Sequence, residues 1–353
     1  MMNKHGGDIY GYPGVVDFSA NINYLGMPQA VKAAAMRGVE ESVHYPQAAH
    51  RQLRYAVAKR YHIEEDQILC GNGAAELIYC LVEALQPKRA LVMAPSFSEY
   101  EEALDSCGCE VLRYLLKKED AFCPDEGFIR QIQPSIDMVF VCNPNNPTGL
   151  LVEKPLLEKI LKRCQELDIL MAVDECFLDF VPTPEKYTLK EYLETYDNLF
   201  LLKAFTKRYA MAGVRLGYGL CGNKGLLEKI EGVCQPWNVS SMAQAAGLAA
   251  LQEREYVEKG RQVTFQELAY LKEELAALGY LVYPSQANYV FFTGPADLYE
   301  KLEQKKILIR DCSNYTGLSK GYYRVAVKKH EENQQLIRAL KEIDRTKVEN
   351  VIL

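Results

Sequence analysis

Short apolar runs alternate with longer helical patterns through the first two thirds of the chain, and this alternation limits the possible folds more than any other feature. The runs "QILC", "RALVMA" and "MVFVC" each precede a helix-like stretch, and "ILMAVDE" and "NLFLLKAF" follow. Such repetition is typical of βα units, which build a mostly parallel sheet covered by helices. We therefore predict an α/β domain around one central sheet.

Four polar turns follow these apolar runs. They read "GNGA", "APSF", "NPNNPTG" and "DECF". Ligand-binding residues of an open α/β sheet collect beyond the carboxyl ends of its strands. We expect the four turns to line one pocket.

The pattern changes near residue 248, where a long charged helix precedes "YLVYPSQANYVFF", "KILIRDCSNY" and "YYRVAVK". This indicates a smaller α+β unit, which the first residues of the chain would join. We predict a large domain over residues 40–245 and a small domain made of residues 1–39 and 246–353.

Composition excludes several classes. The 353 residues carry 41 basic and 47 acidic side chains without a basic block, which argues against a nucleic-acid partner. Eleven cysteines without a CxxC pair predict neither disulfides nor a metal site. We find no signal-peptide core and no apolar run of membrane-spanning length, so we expect no membrane partner and a cytoplasmic location.

Two lysines lie at the end of one apolar run, in "LLKAFTKRYAMAGVRLGYG". Lys203 and Lys207 could both be surface residues at a strand edge. Alternatively, burial lowers the pKa of a lysine and makes its amine a nucleophile for aldehydes. Arg215 follows Lys207 across a small-residue turn, so both cations could face one anionic ligand. An aldehyde bearing a phosphate would need both.

Pyridoxal phosphate fits this arrangement, because it needs a lysine, an acid opposite its ring nitrogen and a phosphate cradle. Asp174, just past a buried strand, is the candidate acid. Asn146 in "NPNNPTG" could donate to the phenolic oxygen of the cofactor, and Phe97 could lie against its ring, although such a phenylalanine could equally belong to the core. The start of the helix after "GNG" offers free backbone N–H groups for phosphate, from Gly73, Ala74 and Ala75.

"NPNNPTG", "VDECF" and "TKRYAMAGVRLGY", in this order, resemble the aspartate aminotransferase superfamily of pyridoxal-phosphate enzymes, fold type I. The resemblance extends over nearly the whole chain and favours the branch of histidinol-phosphate aminotransferases and threonine-phosphate decarboxylases. "HGGD", "DFSANINYLG", "QPWNVSSMAQAA" and "IRDCSNYTGL" are more similar to the decarboxylases, which make aminopropanol phosphate for the cobalamin nucleotide loop. The implied fold is a large domain with a mostly parallel mixed sheet between helices, plus a smaller α+β domain.

The resemblance implies roles for individual residues. Lys207 would be the Schiff-base lysine, Arg215 and Thr206 phosphate ligands, Asp174 the ring-nitrogen partner and Asn146 the phenolic-oxygen donor. Substrate residues would be the carboxylate-binding Arg324, the phosphate-binding Arg310, and His5 and Asn21. Tyr45 would reach the cofactor phosphate of a neighbouring subunit, so the resemblance also implies a homodimer.

The chain departs from its relatives at three positions. Ala204 stands where many have a serine or threonine that binds phosphate, a role that Thr206 or Lys203 could take over. Phe177 stands where aminotransferases commonly have a tyrosine. Tyr24 stands where the decarboxylases usually have proline, which would reshape the loop over the substrate.

The sequence leaves the reaction open, because it is set by which bond at the α-carbon lies perpendicular to the cofactor ring. We expect decarboxylation of threonine phosphate to aminopropanol phosphate, or of serine phosphate to ethanolamine phosphate. The alternatives are a histidinol-phosphate-type aminotransferase and, more remotely, a non-catalytic regulator that binds the cofactor. A dinucleotide-dependent dehydrogenase fits less well, because "GNG" lacks the third glycine of that fingerprint.

Overall fold

A computed structural model describes the backbone of residues 5–352 and the side chains of residues 5–344. The helices are α1 (Gln29–Glu40), α2 (Arg51–Tyr61), α3 (Gly73–Leu85), α4 (Glu99–Ser106), α5 (Gly127–Gln131), α6 (Lys154–Glu166), α7 (Lys224–Val233), α8 (Ser241–Ala250), α9 (Arg254–Ala277), α10 (Leu298–Gln304) and α11 (His330–Ile352). The strands are β1 (Val16–Asp17), β2 (Ile68–Gly71), β3 (Arg89–Ala94), β4 (Glu110–Leu115), β5 (Met138–Cys142), β6 (Leu170–Asp174), β7 (Leu199–Ala204), β8 (Gly217–Cys221), β9 (Leu281–Val282), β10 (Tyr289–Thr293), β11 (Ile307–Leu308), β12 (Arg310–Asp311) and β13 (Tyr322–Ala326).

A seven-stranded sheet forms the centre of the fold, in the order β2-β8-β7-β6-β5-β3-β4. The pairings among β4, β3, β5, β6 and β7 are parallel, whereas β8 runs antiparallel to both β7 and β2. The predicted mostly parallel sheet is confirmed. The strands β4 and β8 were not predicted: β4 is an amphipathic edge strand, and glycines interrupt the apolar pattern of β8.

The central strands are apolar on both faces because a separate core lies on each side of the sheet. In β5, Val139 and Val141 join one core, while Phe140 and Cys142 join the other. In β7 the same alternation sends Leu201 to the first core and Leu202 to the second. Parallel strands buried in this way form continuous apolar runs, as the sequence shows.

A second, four-stranded antiparallel sheet has the order β12-β13-β10-β9 and packs with α9, α10 and α11 around a third core. The chain's first strand joins this unit, because β1 pairs in parallel with β11 and Phe18 lies in the third core. The division into a large domain and a small domain that includes the amino-terminal residues stays a prediction. The boundaries at residues 39/40 and 245/246 stay a prediction.

The helices of the described region include no segment with both the length and the low polarity that a bilayer crossing requires. All eleven cysteines lie in this region and are free thiols, eight of them buried.

Candidate active site

A cavity of about 300 Å³ opens at the carboxyl ends of β5, β6 and β7, beside the first turn of α3. Twelve of the fourteen predicted site residues line it: His5, Asn21, Ala74, Ala75, Phe97, Asn146, Asp174, Thr206, Lys207, Arg215, Arg310 and Arg324. Residues from all four predicted turns meet here, as expected. Gly73 lies just outside the lining, and Tyr45 lies elsewhere.

Asp174 ends β6 on the face of the sheet that carries the second core, and its side chain is buried. The Tyr100 hydroxyl donates to Oδ2 at 2.6 Å, and the Cys176 backbone N–H donates to Oδ1 at 2.9 Å. Two donors hold the carboxylate in one direction, and a buried carboxylate needs such partners or a cation. The carboxylate is thus fixed at the cavity wall.

Lys207 lies in the turn after β7, and its Nζ is 5.9 Å from the centroid of the Phe177 ring. Burial lowers the pKa of Lys207 to about 8, and the nearby guanidinium of Arg324 acts in the same direction. Cys176 and Asp174 oppose this shift, and Arg215 adds to it. An amine with this pKa is partly neutral near physiological pH and can attack an aldehyde.

The depressed pKa predicts how the cofactor-free protein captures pyridoxal 5'-phosphate. Only the neutral amine reacts, so the rate should rise about tenfold per pH unit below pH 8 and level off above it. Stopped-flow absorbance from pH 6 to 10 would show this, with a model peptide amine as the control. A rate that still climbs tenfold per unit beyond pH 9 would contradict the assignment.

Lys203 is not a surface residue, and it does not face the cavity. It lies on the sheet face opposite Ala204, and its Nζ is 2.7 Å from Glu175 Oε2 in a fully buried ion pair. Burial disfavours its charge, but Glu175 more than offsets this and raises the pKa of Lys203. The strand-edge alternative was therefore wrong for Lys203, which can neither replace Lys207 nor bind a phosphate in the cavity.

We predict that Lys203→Met lowers the free energy of unfolding by about 3–5 kcal/mol, because the Glu175 carboxyl group would be left buried without its cationic partner. Denaturant unfolding measures this. Adding Glu175→Gln should recover much of the loss. The control Lys224→Ala removes an exposed pair with Asp66 and should cost no more than about 1 kcal/mol. Equal effects of the two single changes would contradict the prediction.

Asn146 is oriented by two donors. An Nη1 group of Arg324 and the Tyr315 hydroxyl, at 3.3 Å, both donate to its Oδ1. Because a guanidinium has only donors, the atom that faces it must be the oxygen, and the amide Nδ2 then faces the cavity. This nitrogen donates to no acceptor in the described region, so it is available to a ligand's oxygen, as the predicted role requires.

Arg310 and Arg324 are directly opposite each other on β12 and β13, and both are buried. Arg324 donates through Nη2 to the Ser19 carbonyl at 2.7 Å, and Arg310 donates to the Asp311 carbonyl and to Asn314 Oδ1. Two adjacent guanidinium groups in a cavity favour a ligand with two anionic groups.

The start of α3 and Arg215 form a small cradle. Gly73 has φ +84°, and a Cβ at this position would lie 2.5 Å from Arg215 Nη2, so only glycine allows this approach. Ala74 and Ala75 present the first-turn N–H groups of α3 beside it. Thr206 also lines the cavity, and its hydroxyl binds no other described residue. Backbone donors, a hydroxyl and a guanidinium suit a phosphate.

The other predicted residues lie at different depths. Phe97 lies at the cavity wall and packs edge-on against Tyr100. His5 Nε2 lies 2.9 Å from Glu99 Oε1 at the rim, whereas Asn21 is buried and its Oδ1 has no partner among the described residues. Tyr45 is 78% exposed and stacks on Trp237, and its role across a subunit interface stays a prediction.

The three departures have different outcomes. Ala204 and Phe177 both line the cavity. The cavity therefore lacks the hydroxyl groups that a serine or threonine at position 204 and a tyrosine at position 177 would supply. Tyr24 does not line the cavity but packs against the third core, and burial raises its pKa to about 12. The position of Tyr24 away from the cavity does not support the expectation that it reshapes a loop over the substrate.

Sequence reasoning missed three residues that organise the site: Tyr100, Tyr315 and Asn23. Asn23 accepts from the Leu25 N–H, and its own backbone N–H donates to the Lys207 carbonyl at 3.0 Å. Its Nδ2 donates to the Arg208 carbonyl at 2.9 Å. These contacts run between distant parts of the chain, and no local pattern signals them.

The described residues fit pyridoxal phosphate. One cavity brings together a lysine that can lose its proton, a carboxylate held in place by two donors, an amide N–H donor and a cradle for an anion. The buried Asn21 oxygen and the Thr206 hydroxyl have no partner among the described residues. We propose that Lys207, Asp174, Asn146, Thr206 and Arg215 hold the cofactor with the N–H groups of the first turn of α3.

Comparison with known proteins agrees with this chemistry. The family described as "Aminotransferase class I and II" matches residues 13–340. The chain is 37% identical over 333 residues to threonine-phosphate decarboxylase from Salmonella typhimurium, which covers 93% of this chain and 91% of that protein. An adenosylcobalamin biosynthesis bifunctional protein from Leptospira interrogans is 32% identical over 93% of this chain and 39% of its own length.

Among solved structures, histidinol-phosphate aminotransferase from Clostridium acetobutylicum superposes with a TM-score of 0.88 at 31% identity, covering 93% of this chain and 99% of that one. The resemblance inferred from the motifs is confirmed, as is the fold class. The chain therefore belongs to the class I and II aminotransferase family, and it is a pyridoxal-phosphate-dependent enzyme of fold type I.

Proposed function

We propose that the enzyme decarboxylates a phosphorylated amino acid, L-threonine O-3-phosphate or L-serine O-phosphate, for the nucleotide loop of cobamides. The observation that carries this is the facing pair Arg310 and Arg324, which offers one guanidinium to a carboxylate and one to a phosphate. The 37% identity to a threonine-phosphate decarboxylase supports the reaction, and the relative named for adenosylcobalamin biosynthesis supports the pathway.

When bound, pyridoxal phosphate supplies an aldehyde that reacts with amines and a ring that accepts an electron pair from the α-carbon. Asp174 presents a fixed negative charge to that ring. Lys207, with its pKa near 8, can give up and take back a proton at the reacting carbon. Arg324 orients the carboxylate, and the apolar walls at Phe177 and Ile78 reduce access of water.

The two candidate substrates differ by one methyl group, which a pocket discriminates by only about 1–3 kcal/mol. We propose threonine phosphate as the substrate, because the relative that is 37% identical to this chain is named for it. A comparison of kcat/KM for the two phosphorylated amino acids decides between them.

A histidinol-phosphate-type aminotransferase is the second candidate, and the structural match at a TM-score of 0.88 favours it. The same residues would serve both reactions, since Lys207 would then remove the α-hydrogen. Purified holoenzyme should be given threonine phosphate, serine phosphate or histidinol phosphate, each with and without 2-oxoglutarate. Release of CO2 without an oxo acid supports the decarboxylase, glutamate formation supports the aminotransferase, and formation of neither product from any of the three compounds would contradict both candidates.

We also propose that the enzyme is a cytoplasmic homodimer. Tyr45 and Trp237, which stack on each other, are exposed, as are the apolar side chains of Met36, Val39 and Val43 in the segment just before Tyr45, and burial of such side chains would favour contact with a second copy. The free cysteines suit a reducing compartment. Sedimentation equilibrium should give twice the chain mass of 40.0 kDa, and a mass of one chain would contradict the dimer.

A further inference from the structure

We propose that Tyr315 is a positioning residue that fixes the directions of Arg310 and Asn146 together and thereby selects phosphorylated substrates. This inference rests on the proposed function and deepens it, since it concerns the same cavity. Tyr315 lies in the turn between β12 and β13, and its side chain lines the cavity.

The geometry connects Tyr315 to both neighbours at once. The Cζ atom of Arg310 is 5.3 Å from the centroid of the Tyr315 ring, within the range of a cation–π contact. The hydroxyl of the same side chain donates to Asn146 Oδ1 at 3.3 Å. One rigid side chain therefore contacts the residue assigned to the substrate phosphate and the residue assigned to the cofactor.

The turn holds this side chain still. The Tyr315 backbone N–H donates to the Cys312 carbonyl at 3.1 Å, and its carbonyl accepts from Leu318 at 3.0 Å. Asp311 Oδ1 accepts from the Ser313 N–H at 2.8 Å, and Cys312 is fully buried. With 9% of its surface exposed, the Tyr315 ring has little freedom to leave Arg310.

The phenol keeps its proton in this place. Burial raises the pKa of Tyr315, although Arg324 and Arg310 oppose the shift, so the hydroxyl remains a donor at neutral pH. Asn146 Oδ1 also accepts from Arg324, so its amide nitrogen is directed by two donors. Arg310 also donates to the Asp311 carbonyl and to Asn314 Oδ1, so the Tyr315 ring and these two bonds together fix the plane of its guanidinium.

Two variants separate the two contacts. Tyr315→Phe keeps the ring under Arg310 and removes the bond to Asn146, whereas Tyr315→Leu removes both. Tyr323→Phe is the matched control, because Tyr323 is a buried neighbour on β13 that donates to the Pro295 carbonyl and does not line the cavity. The readout is the ratio of apparent dissociation constants of O-phospho-L-threonine and L-threonine, taken from the initial absorbance change of the holoenzyme.

For Tyr315→Leu, the preference for the phosphorylated compound should fall about 10- to 30-fold, the range of a desolvated cation–π contact. Tyr315→Phe should keep that preference within about threefold. It should also move the midpoint of the spectrophotometric pH titration of the bound cofactor by about half a unit or more. Tyr323→Phe should change neither quantity.

Arg310→Gln tests whether Tyr315 acts through Arg310. If it does, adding Tyr315→Leu to Arg310→Gln should lower the preference no further. Full additivity, or an unchanged preference in Tyr315→Leu, would overturn the inference. A wild-type enzyme without any preference for phosphothreonine, phosphoserine or histidinol phosphate would instead refute the proposed function. Should Tyr315→Leu not fold, an unmoved titration midpoint in Tyr315→Phe would itself refute the role at Asn146.

Discussion

Lys207→Ala should abolish covalent capture of the cofactor and lower kcat by at least about 10⁴-fold, because one amine both reacts with the aldehyde and moves the proton. Borohydride reduction followed by peptide mass spectrometry should find the cofactor on the peptide containing residue 207 in the wild type and on no peptide in the variant. The variant should also lose the yellow absorbance of the bound cofactor.

The control is Lys224→Ala, which removes an exposed lysine far from the cavity and should leave both readouts unchanged. Persistence of a trapped adduct in Lys207→Ala would place the reactive amine elsewhere. Lys203 is then a poor substitute, because its amine is paired with Glu175 on the opposite face of the sheet.

Asp174→Asn should lower kcat/KM roughly 10²- to 5 × 10³-fold, since it leaves a ligand cation in a buried site without its counter-charge, at a cost of about 3–5 kcal/mol. Asparagine keeps the size of the side chain; its Oδ1 can accept from the Cys176 N–H while its Nδ2 donates to the Tyr100 hydroxyl oxygen, so the fold should be retained. Steady-state kinetics and the absorbance spectrum of the bound cofactor check the result.

Tyr100→Phe is the informative comparison. It removes one hydrogen bond to Asp174 but keeps the charge, so its effect should be smaller, about tenfold to a hundredfold. A loss from Tyr100→Phe that equals the loss from Asp174→Asn would mean that orientation, and not charge, is what Asp174 provides.

Much of this site could be predicted because its parts are local. Asp174 follows a buried strand, the "GNG" turn precedes a helix, and "NPNNPTG" separates two apolar runs. Each of these local patterns predicts that its residues lie at the edge of the sheet. The parallel order of the strands then brings these places together. This is why the pocket was predicted correctly without any knowledge of distances.

Lys203 and Lys207 show where such reasoning ends. A strand sends successive side chains to opposite faces, so Lys203 and Ala204 diverge, but the sequence does not say which face carries the cavity. The partner that keeps Lys203 charged is Glu175, on the neighbouring chain segment. Burial was expected to make the amine of a lysine reactive, whereas the buried Lys203 forms an ion pair with Glu175 and contributes to the stability of the fold.

Tyr100 and Asn23 were missed for a different reason. Tyr100 lies on an amphipathic helix, where an inward tyrosine is indistinguishable from any core aromatic until its hydroxyl is found 2.6 Å from Asp174. Asn23 contacts residues nearly two hundred positions away. Contacts between residues so far apart along the chain produce no periodic pattern in the sequence.

The pairing of β1 with β11, and the bond from Arg324 to the Ser19 carbonyl, has a consequence for biosynthesis. The residues around position 19 leave the ribosome long before their partners near positions 307 and 324. Closure over such a separation is slow and entropically costly. The nascent chain can therefore complete its central sheet once β8 has emerged, but it can acquire a competent pocket only after Arg324 has also left the ribosome.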